Sequence, residues 1–184
     1  LLEGRAAQAA VAVALEAAEP AEALDRLRFV LAADDDHGPF LHRFADDRLI
    51  GRAVRSLRGL RPLRTATVTH SLLKAICGQL IQARAARQLE ARLIRTLGTP
   101  LGDYWLPPTR ETFGGLAPAR LARDGLVARK ATALVRLSRE WDVERLRGVD
   151  TDRAAARIER ERGLGPWSAG MICLYGLGRY EQGL

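Results

Sequence analysis

The sequence has few of the residues that build metal centres and disulfide frameworks, since its 184 residues include two cysteines and three histidines. Cys77 and Cys173 lie far apart in apolar runs, which is typical of reduced core residues rather than of a disulfide or an iron–sulfur cluster. His37, His42 and His70 have no spacing that suits zinc or a nucleophilic triad. We therefore predict no metal site, no required cofactor, and surface or capping roles for the histidines.

Long apolar segments are absent as well, and no stretch approaches the length of a membrane span. The sequence also shows no signal peptide, internal repeat or low-complexity linker. These absences predict a cytoplasmic protein with no membrane partner, and we expect it to act as a monomer. Because the chain opens at Leu1 rather than at Met, we expect it to be part of a longer protein.

Lysine is scarce, while arginine supplies 27 of the 29 basic residues and leaves a net charge of +7. A basic excess favours an anionic partner, because Arg and Lys release counterions when they bind a polyanion. A GC-rich genome that uses Arg freely is the alternative explanation. Both can hold, so charge alone does not assign a function.

The first 33 residues are predicted to be the remnant of an α/β or β-rich N-terminal domain. Weak alternation over residues 6–17 predicts a strand, and Pro20 opens a predicted helix that reaches Leu31. A lone strand is not stable, so it implies a missing partner. The run Asp34-Asp35-Asp36 that follows predicts a solvated loop and helix cap, because adjacent carboxylates cannot converge on a metal without further ligands.

Residues 34–184 are predicted to form one mainly α domain. Apolar spacing gives one or two helices over residues 39–57 and a break at 59–62. A long amphipathic pattern from Leu72 to Leu97 contains Gly78, which predicts two helices meeting near residues 78–82. Residues 98–108 are predicted as loop, and residues 112–123 and 127–141 as further helices.

The most distinctive segment is Arg162-Gly163-Leu164-Gly165-Pro166-Trp167-Ser168-Ala169. A helix capped by Asp150 or Thr151 precedes it, and an apolar helix that Gly176 or Gly178 can stop follows it. Its glycines and Pro166 allow the second helix to start at once. The segment therefore predicts a helix-hairpin-helix whose free N–H groups can bind a phosphate oxygen, although an isolated Gly-x-Gly is usually only a turn.

Four segments in order resemble bacterial DNA-3-methyladenine glycosylase II, of the helix-hairpin-helix superfamily of base-excision glycosylases with a Gly/Pro-rich loop and a catalytic Asp. They are residues 73–81 (LKAICGQLI), 104–107 (YWLP), 125–131 (GLVARKA) and the hairpin, within a match over about residues 37–184. The resemblance implies an all-α two-lobed glycosylase body, a double-stranded DNA partner with damaged bases, and a flipped base held between the lobes.

The resemblance also implies the DNA contacts. Gly163, Gly165 and Ser168 match the phosphate contacts of the hairpin. A structural monovalent cation held by the hairpin carbonyls is in keeping with the resemblance. Leu80 matches the wedge that fills the space left by the flipped base, and Gln79 is its neighbour. Periodicity alone favours a different interpretation, in which Leu80 is a core residue one turn after Ile76.

For the base pocket, the resemblance points to the second hairpin helix. Relatives that cleave the strand carry a nucleophilic Lys where this sequence has Trp167, so a monofunctional enzyme is implied. Met171 replaces a pocket Tyr of some relatives, which leaves Trp105 or Tyr175 as alternative stacking residues. Gln82 replaces the small hydroxyl residue usual after the wedge.

No catalytic residue is assigned within the chain, because the family's Asp is expected within a few residues after Leu184. Glu181 comes too early in the pattern and is predicted to be a surface residue. The leading hypothesis is a glycosylase that excises alkylated purines of the 3-methyladenine type. The alternatives are a glycosylase for oxidised or mismatched bases, a non-catalytic helix-hairpin-helix DNA-binding module, and a helical interaction domain.

Overall fold

The computed structural model describes residues 20–182, so the predicted strand at residues 6–17 lies outside the described residues. The described chain is mainly helical. In chain order its elements are α1 (Pro20–Val30), α2 (Gly38–Arg43), α3 (Gly51–Ser56), α4 (Val68–Gly78), α5 (Ala83–Leu97), β1 (Thr99–Leu101), β2 (Tyr104–Leu106), α6 (Arg110–Gly115), α7 (Pro118–Arg123), α8 (Ala128–Glu140), a 3-10 helix (Val143–Gly148), α9 (Thr151–Glu159), α10 (Pro166–Ile172) and a π-helix (Cys173–Leu177). The prediction of a mainly α domain is confirmed.

Side-chain caps start several helices where the sequence supplies a hydroxyl or a carboxylate. The Thr67 hydroxyl accepts from the His70 N–H at the start of α4, and the Asp150 carboxylate accepts from the Arg153 N–H at the start of α9. Each cap satisfies a backbone donor that has no partner inside the helix. The predicted cap at residue 150 is thus confirmed.

The core lies where α4 meets α10 and where α8 and α9 pack beside them. Side chains at helical spacing fill it, among them Leu72 and Ile76 of α4, Leu134 of α8, and Ile158 of α9. Each of these is at most 2 % exposed, and burial of such side chains is the main stabilising term of a helical domain. The core holds the end of α4 against the start of α10.

Two predicted boundaries were wrong. Residues 98–108 were predicted as loop but contain an antiparallel two-stranded hairpin, in which Thr99 pairs with Leu106 and Leu101 with Tyr104. Both strands are three residues long and exposed, so no alternating apolar pattern marks them. The single helix predicted over residues 112–123 is two short helices, α6 and α7.

The acidic run at residues 34–36 is only partly a solvated loop. Asp36 accepts from the Gly38 N–H at 2.8 Å just before α2, whose N-cap residue is His37 and has no side-chain cap, and Asp34 pairs with Arg28 on the surface. Asp35 instead forms an ion pair with Arg64, whose side chain is almost fully buried. This pair joins the N-terminal end of the described chain to the segment before α4.

Candidate functional site

The hairpin between α9 and α10 forms the turn that the sequence predicts. Gly163 has a φ of +98°, a left-handed conformation that L side chains rarely adopt, and its carbonyl faces the end of α4. Gly165 has extended backbone, and a methyl group added there would meet no atom within 4 Å. The space over Gly165 is therefore open to a ligand from outside.

Backbone donors without partners lie at the same turn. Pro166 occupies the first position of α10, and no side chain caps this helix start. Within residues 20–182, the N–H groups of Gly165 and Trp167 have no protein acceptor. Free N–H groups at a helix start, together with the positive end of the helix dipole, suit an anionic oxygen.

Leu80 lies in the turn between α4 and α5 and is the most exposed large apolar side chain near the hairpin. It is 94 % exposed and has a φ of +57°, which is costly for a residue with a Cβ. The interpretation of Leu80 as a core residue is wrong, because α4 ends at Gly78 and the helical spacing does not continue through the turn.

Gln79 joins this turn to the hairpin. Its side-chain amide donates to the Gly163 carbonyl at 2.8 Å and to the Ser168 hydroxyl at 3.1 Å. Ser168 is only 2 % exposed, so its hydroxyl holds Gln79 rather than facing the open space where a phosphate contact was predicted. The two loops that the sequence singled out separately form one hydrogen-bonded unit.

The predicted monovalent cation would need carbonyl oxygens of the hairpin as ligands. The Gly163 carbonyl accepts from Gln79, and the Arg162 carbonyl accepts from the Arg136 guanidinium at 3.0 Å. These two oxygens already have protein donors, so a cation would depend on the other carbonyls of the hairpin. The cation stays a prediction.

Lys130 of α8 fixes the same turn from the other side. Its ammonium donates to the Gln79 carbonyl at 2.6 Å, and the residue is only 8 % exposed. Burial lowers the pKa of this ammonium from its ordinary value, although the charged form remains the natural partner of a carbonyl at a helix end. Leu80 is thus preceded by a residue held at both its carbonyl and its side chain.

Trp167 packs on Gly78, and this contact explains the glycine. A methyl group added at Gly78 would lie 2.8 Å from the Trp167 ring, closer than real side chains approach. Trp167 remains 43 % exposed, so part of its indole ring is available to a ligand. The aromatic residue of the hairpin and the end of α4 therefore form one surface.

The other predicted pocket residues divide between two places. Met171 follows Trp167 by one turn and packs partly against the core. Tyr175 lies in the π-helix, with the Lys74 ammonium 5.3 Å from its ring centre, so one face of the ring is already covered. Trp105 belongs to the β-hairpin, which packs on α5 rather than forming part of α10.

Both lysines of this arginine-rich chain lie beside the candidate site, and neither received a role from sequence reasoning. Lys74 forms an ion pair with Glu90, whose other oxygen contacts the His70 ring at 2.9 Å. Burial alone would raise the pKa of Glu90, but the hydrogen bond from His70 and the charge of Lys74 outweigh it, so the pKa falls. His70, predicted as a surface or capping residue, is instead part of this polar cluster.

The segment that leads out of the π-helix is held in place. The Tyr175 carbonyl accepts from the N–H and the hydroxyl of Thr65, and Gly178 has a φ of +70° and ends the helix. Arg64, only 8 % exposed, reaches the Gly178 carbonyl, the Tyr180 hydroxyl and Asp35. The predicted stop at residue 178 is confirmed, whereas Gly176 is a close-packing position against Ser71.

A basic cleft of about 510 Å³ opens between α8 and the hairpin. Gln79, Lys130 and Gly163 line it, as do the arginines at positions 129, 136 and 162. Arg136 forms ion pairs with Glu140 and Glu161. Burial alone would raise the pKa of Glu161, but the hydrogen bonds from Arg157 and Arg136 outweigh burial and lower that pKa. Within residues 20–182, Arg129, Lys130 and Arg162 form no ion pair, so the surface beside the hairpin keeps a net positive charge.

The other residues considered for catalysis or metal binding do not lie together at this site. Glu181 lies in the segment after the π-helix, and its carboxylate accepts from the Thr151 hydroxyl, so it is tied to the first turn of α9. Within residues 20–182, no three His, Cys, Asp or Glu side chains converge as metal ligands would. In the same range, every helix is too short or too polar to cross a bilayer.

No protein-family model matches the chain. The DNA-3-methyladenine glycosylase of Bacillus subtilis is 25 % identical to it over 150 residues, which are 77 % of this chain and 50 % of that protein. The fold is similar to that of a 3-methyladenine DNA-glycosylase from Archaeoglobus fulgidus, with a TM-score of 0.75, 23 % identity, and coverage of 90 % of this chain and 59 % of that one. The chain is thus similar in sequence to DNA-3-methyladenine glycosylases.

The fold is also similar to that of a glycosylase named for another substrate. An 8-oxoguanine glycosylase/lyase from Clostridium acetobutylicum, solved with double-stranded DNA containing cytosine opposite 8-oxoguanine, has a TM-score of 0.76 at 18 % identity. The match covers 88 % of this chain and 58 % of that one. At this identity the likeness shows the helix-hairpin-helix glycosylase fold alone. The chain spans about half the length of its Bacillus subtilis relative.

Proposed function

We propose that the protein is a monofunctional DNA glycosylase that flips alkylated purines of the 3-methyladenine type out of duplex DNA and hydrolyses their N-glycosidic bond. The observation that carries this proposal is Leu80, a 94 % exposed leucine in left-handed backbone, fastened through Gln79 to the hairpin. An apolar wedge next to a phosphate site is what extraction of a base from a duplex requires.

The hydrogen bond between Gln79 and Gly163 suggests separate roles for the two loops that it joins. The N–H groups of the hairpin bind a backbone phosphate and carry no sequence information. Because Gln79 ties the wedge to Gly163, the wedge enters the base stack at a fixed distance from that phosphate. The protein can thus test successive base pairs with the same geometry.

The proposed reaction needs a carboxylate near the sugar. When the base leaves, its glycosidic electron pair goes with it, an oxocarbenium-like sugar forms, and water adds to the anomeric carbon and loses a proton. The resemblance to the glycosylases places this carboxylate shortly after Leu184, beyond the segment at Gly178 and Tyr180 that Arg64 anchors. An alkylated purine is already cationic, so it leaves as a neutral base with little acid assistance.

Base selection is proposed to use the exposed part of Trp167. A cationic base stacks favourably on an electron-rich indole, and a damaged base costs less to extract than a paired one. Trp167 also supports the monofunctional assignment, because an indole cannot form the Schiff base that strand cleavage uses. Removal of oxidised bases by a lyase mechanism is not favoured for the same reason.

The proposal is tested with the protein that carries this chain together with its following residues, acting on methylated duplex DNA. We expect release of free 3-methyladenine and an intact abasic strand before alkali treatment. Borohydride trapping of a covalent protein–DNA adduct would overturn the monofunctional assignment. Salt-dependent duplex binding without any base release would identify a non-catalytic DNA-binding module.

The wedge has its own control. Leu80→Ala is expected to slow excision much more than it weakens binding to undamaged duplex, because only the wedge contact is lost. Leu49→Ala is the matched control, since Leu49 is also an almost fully exposed leucine but lies outside the candidate site. Equal excision by the Leu80 variant would remove its assigned role.

We further propose that the protein acts as a cytoplasmic monomer, which light scattering at the assay concentration tests.

A further inference from the structure

Helix α5 begins three residues after the wedge and carries a one-sided charge. Its four arginines, at positions 84, 87, 92 and 95, are all exposed. Its one carboxylate, Glu90, is buried against α4, where it pairs with His70 and Lys74. The outer face of α5 therefore has cations without the anions that usually alternate with them on a solvated helix.

The arginines are also without partners. Within residues 20–182, none of the four makes an ion pair or a side-chain hydrogen bond. On α1 and α8, in contrast, arginines such as Arg26 and Arg136 pair with a carboxylate four residues away. The guanidinium groups of α5 are available to an external anion.

Their arrangement gives them a common direction. At 3.6 residues per turn, Arg84 and Arg95 lie within about 20° of each other around the helix axis and about 16 Å apart along it. Arg87 and Arg92 lie on either side of that line. The open surface along this face is lined by the four arginines together with Gln88 and Thr96, all of them residues of α5.

We propose that this α5 arginine face is a second contact with the DNA backbone, flanking the wedge and separate from the hairpin. The proposal rests on the proposed function, since it takes the partner to be duplex DNA. Insertion of Leu80 brings the first turn of α5 to the duplex, because Arg84 is only four residues further along the chain. An extended row of unpaired guanidinium groups complements the regularly spaced phosphates of one strand.

The test replaces two arginines that are not adjacent to the wedge. Arg87→Gln/Arg95→Gln keeps good helix formers in α5. Arg48→Gln/Arg52→Gln removes the same charge at and just before α3, from two exposed arginines that form no ion pair within the part of the chain that the structure describes. Binding to an undamaged 25-base-pair duplex is measured by fluorescence anisotropy between 50 and 300 mM salt. Circular dichroism checks that each variant keeps its helix content.

The expected result is a loss of about 1.8 from the slope of log affinity against log salt, at about 0.9 for each lost phosphate contact. This corresponds to about 60-fold weaker binding at 0.1 M salt if the contacts are purely electrostatic. The control pair should keep the original slope. Equal losses in both pairs would reduce the effect to net charge and overturn the proposal.

Failure of the two proposals is distinguishable. If the unaltered protein shows no salt-dependent affinity for duplex DNA, the proposed function fails and the α5 contact fails with it. If the unaltered protein binds but the α5 variant keeps both slope and affinity, only the α5 contact is refuted. The face would then be left to another anionic partner, such as an acidic protein segment.

Discussion

Substitution of Lys130 by Met tests whether a buried ammonium sets the direction of the wedge. Lys130 donates to the Gln79 carbonyl at 2.6 Å, next to the left-handed Leu80. A hydrogen bond from a charged group contributes about 2 kcal/mol net. The left-handed backbone of a residue with a Cβ costs about 1–2 kcal/mol. The bond is therefore large enough to offset the strain, and Met keeps the length of the side chain but not the donor.

The expected result is a separation of excision from binding. If about 2 kcal/mol of restraint is lost at the step that inserts Leu80, single-turnover release of 3-methyladenine falls about 30-fold. Affinity for undamaged duplex should change by no more than about threefold, because the hairpin N–H groups are untouched. Lys130→Arg, which retains a cationic donor, should restore most of the rate.

A merely structural role of Lys130 makes a different prediction. It would lower the melting temperature and would add independently to the effect of Leu80→Ala. If Lys130 acts through the wedge, the double variant Lys130→Met/Leu80→Ala should be hardly slower than Leu80→Ala alone, because residues that act as a unit are not additive. Full additivity, or an unchanged excision rate in Lys130→Met, would refute the positioning role.

Three further predictions concern stability and reactivity. Arg64→Met should destabilise the fold by about 3–5 kcal/mol in urea unfolding, because it leaves the Asp35 carboxylate without its buried partner; a loss below about 1 kcal/mol would contradict that account. Glu90→Gln should weaken the dependence of the free energy of unfolding on acid pH. The pKa of Glu90 in the folded protein lies below its ordinary value of 4.5. The stabilisation by ionised Glu90 is therefore present above pH 4.5 and is lost as the pH falls through the folded-state pKa. Urea unfolding between pH 6 and 3 measures this, and identical pH profiles would refute it. Burial and the charge of Glu90 raise the pKa of the Cys77 thiol to about 12, so the native protein should leave Cys77 unlabelled by a thiol reagent at pH 8 and expose it only on unfolding.

The helices and the hairpin could be predicted from the sequence because their signals are local. Gly163 and Pro166 mark a turn and a helix start within a few residues, and apolar spacing marks α4 and α5. Leu80 shows where local reasoning fails. It continues the apolar spacing of α4, yet the helix ends two residues earlier, because the end is fixed by contacts that are distant in sequence.

Those distant contacts explain why the site could be predicted only in part. The Gln79 side chain bonds to Gly163, 84 positions away, and the Gln79 carbonyl bonds to Lys130, 51 positions away. Gly78 is glycine because of Trp167, which no local pattern around residue 78 reveals. One compositional signal could have pointed to Lys130, since a chain that uses arginine almost everywhere has only two lysines and both lie at this site.

Leu80 destabilises the free protein in two ways, through exposure of its apolar side chain and through strain of its backbone. A leucine left almost fully in water forgoes about 2 kcal/mol of burial, and its left-handed backbone adds about 1–2 kcal/mol of strain. Lys130 and Gln79 hold the turn in that conformation, and an observed strain that is held by specific contacts is a reason to look for function. Between base pairs, the same side chain would exchange water for an apolar surface. The burial that the folded protein lacks would then be gained on binding DNA, and only where a base has left the stack.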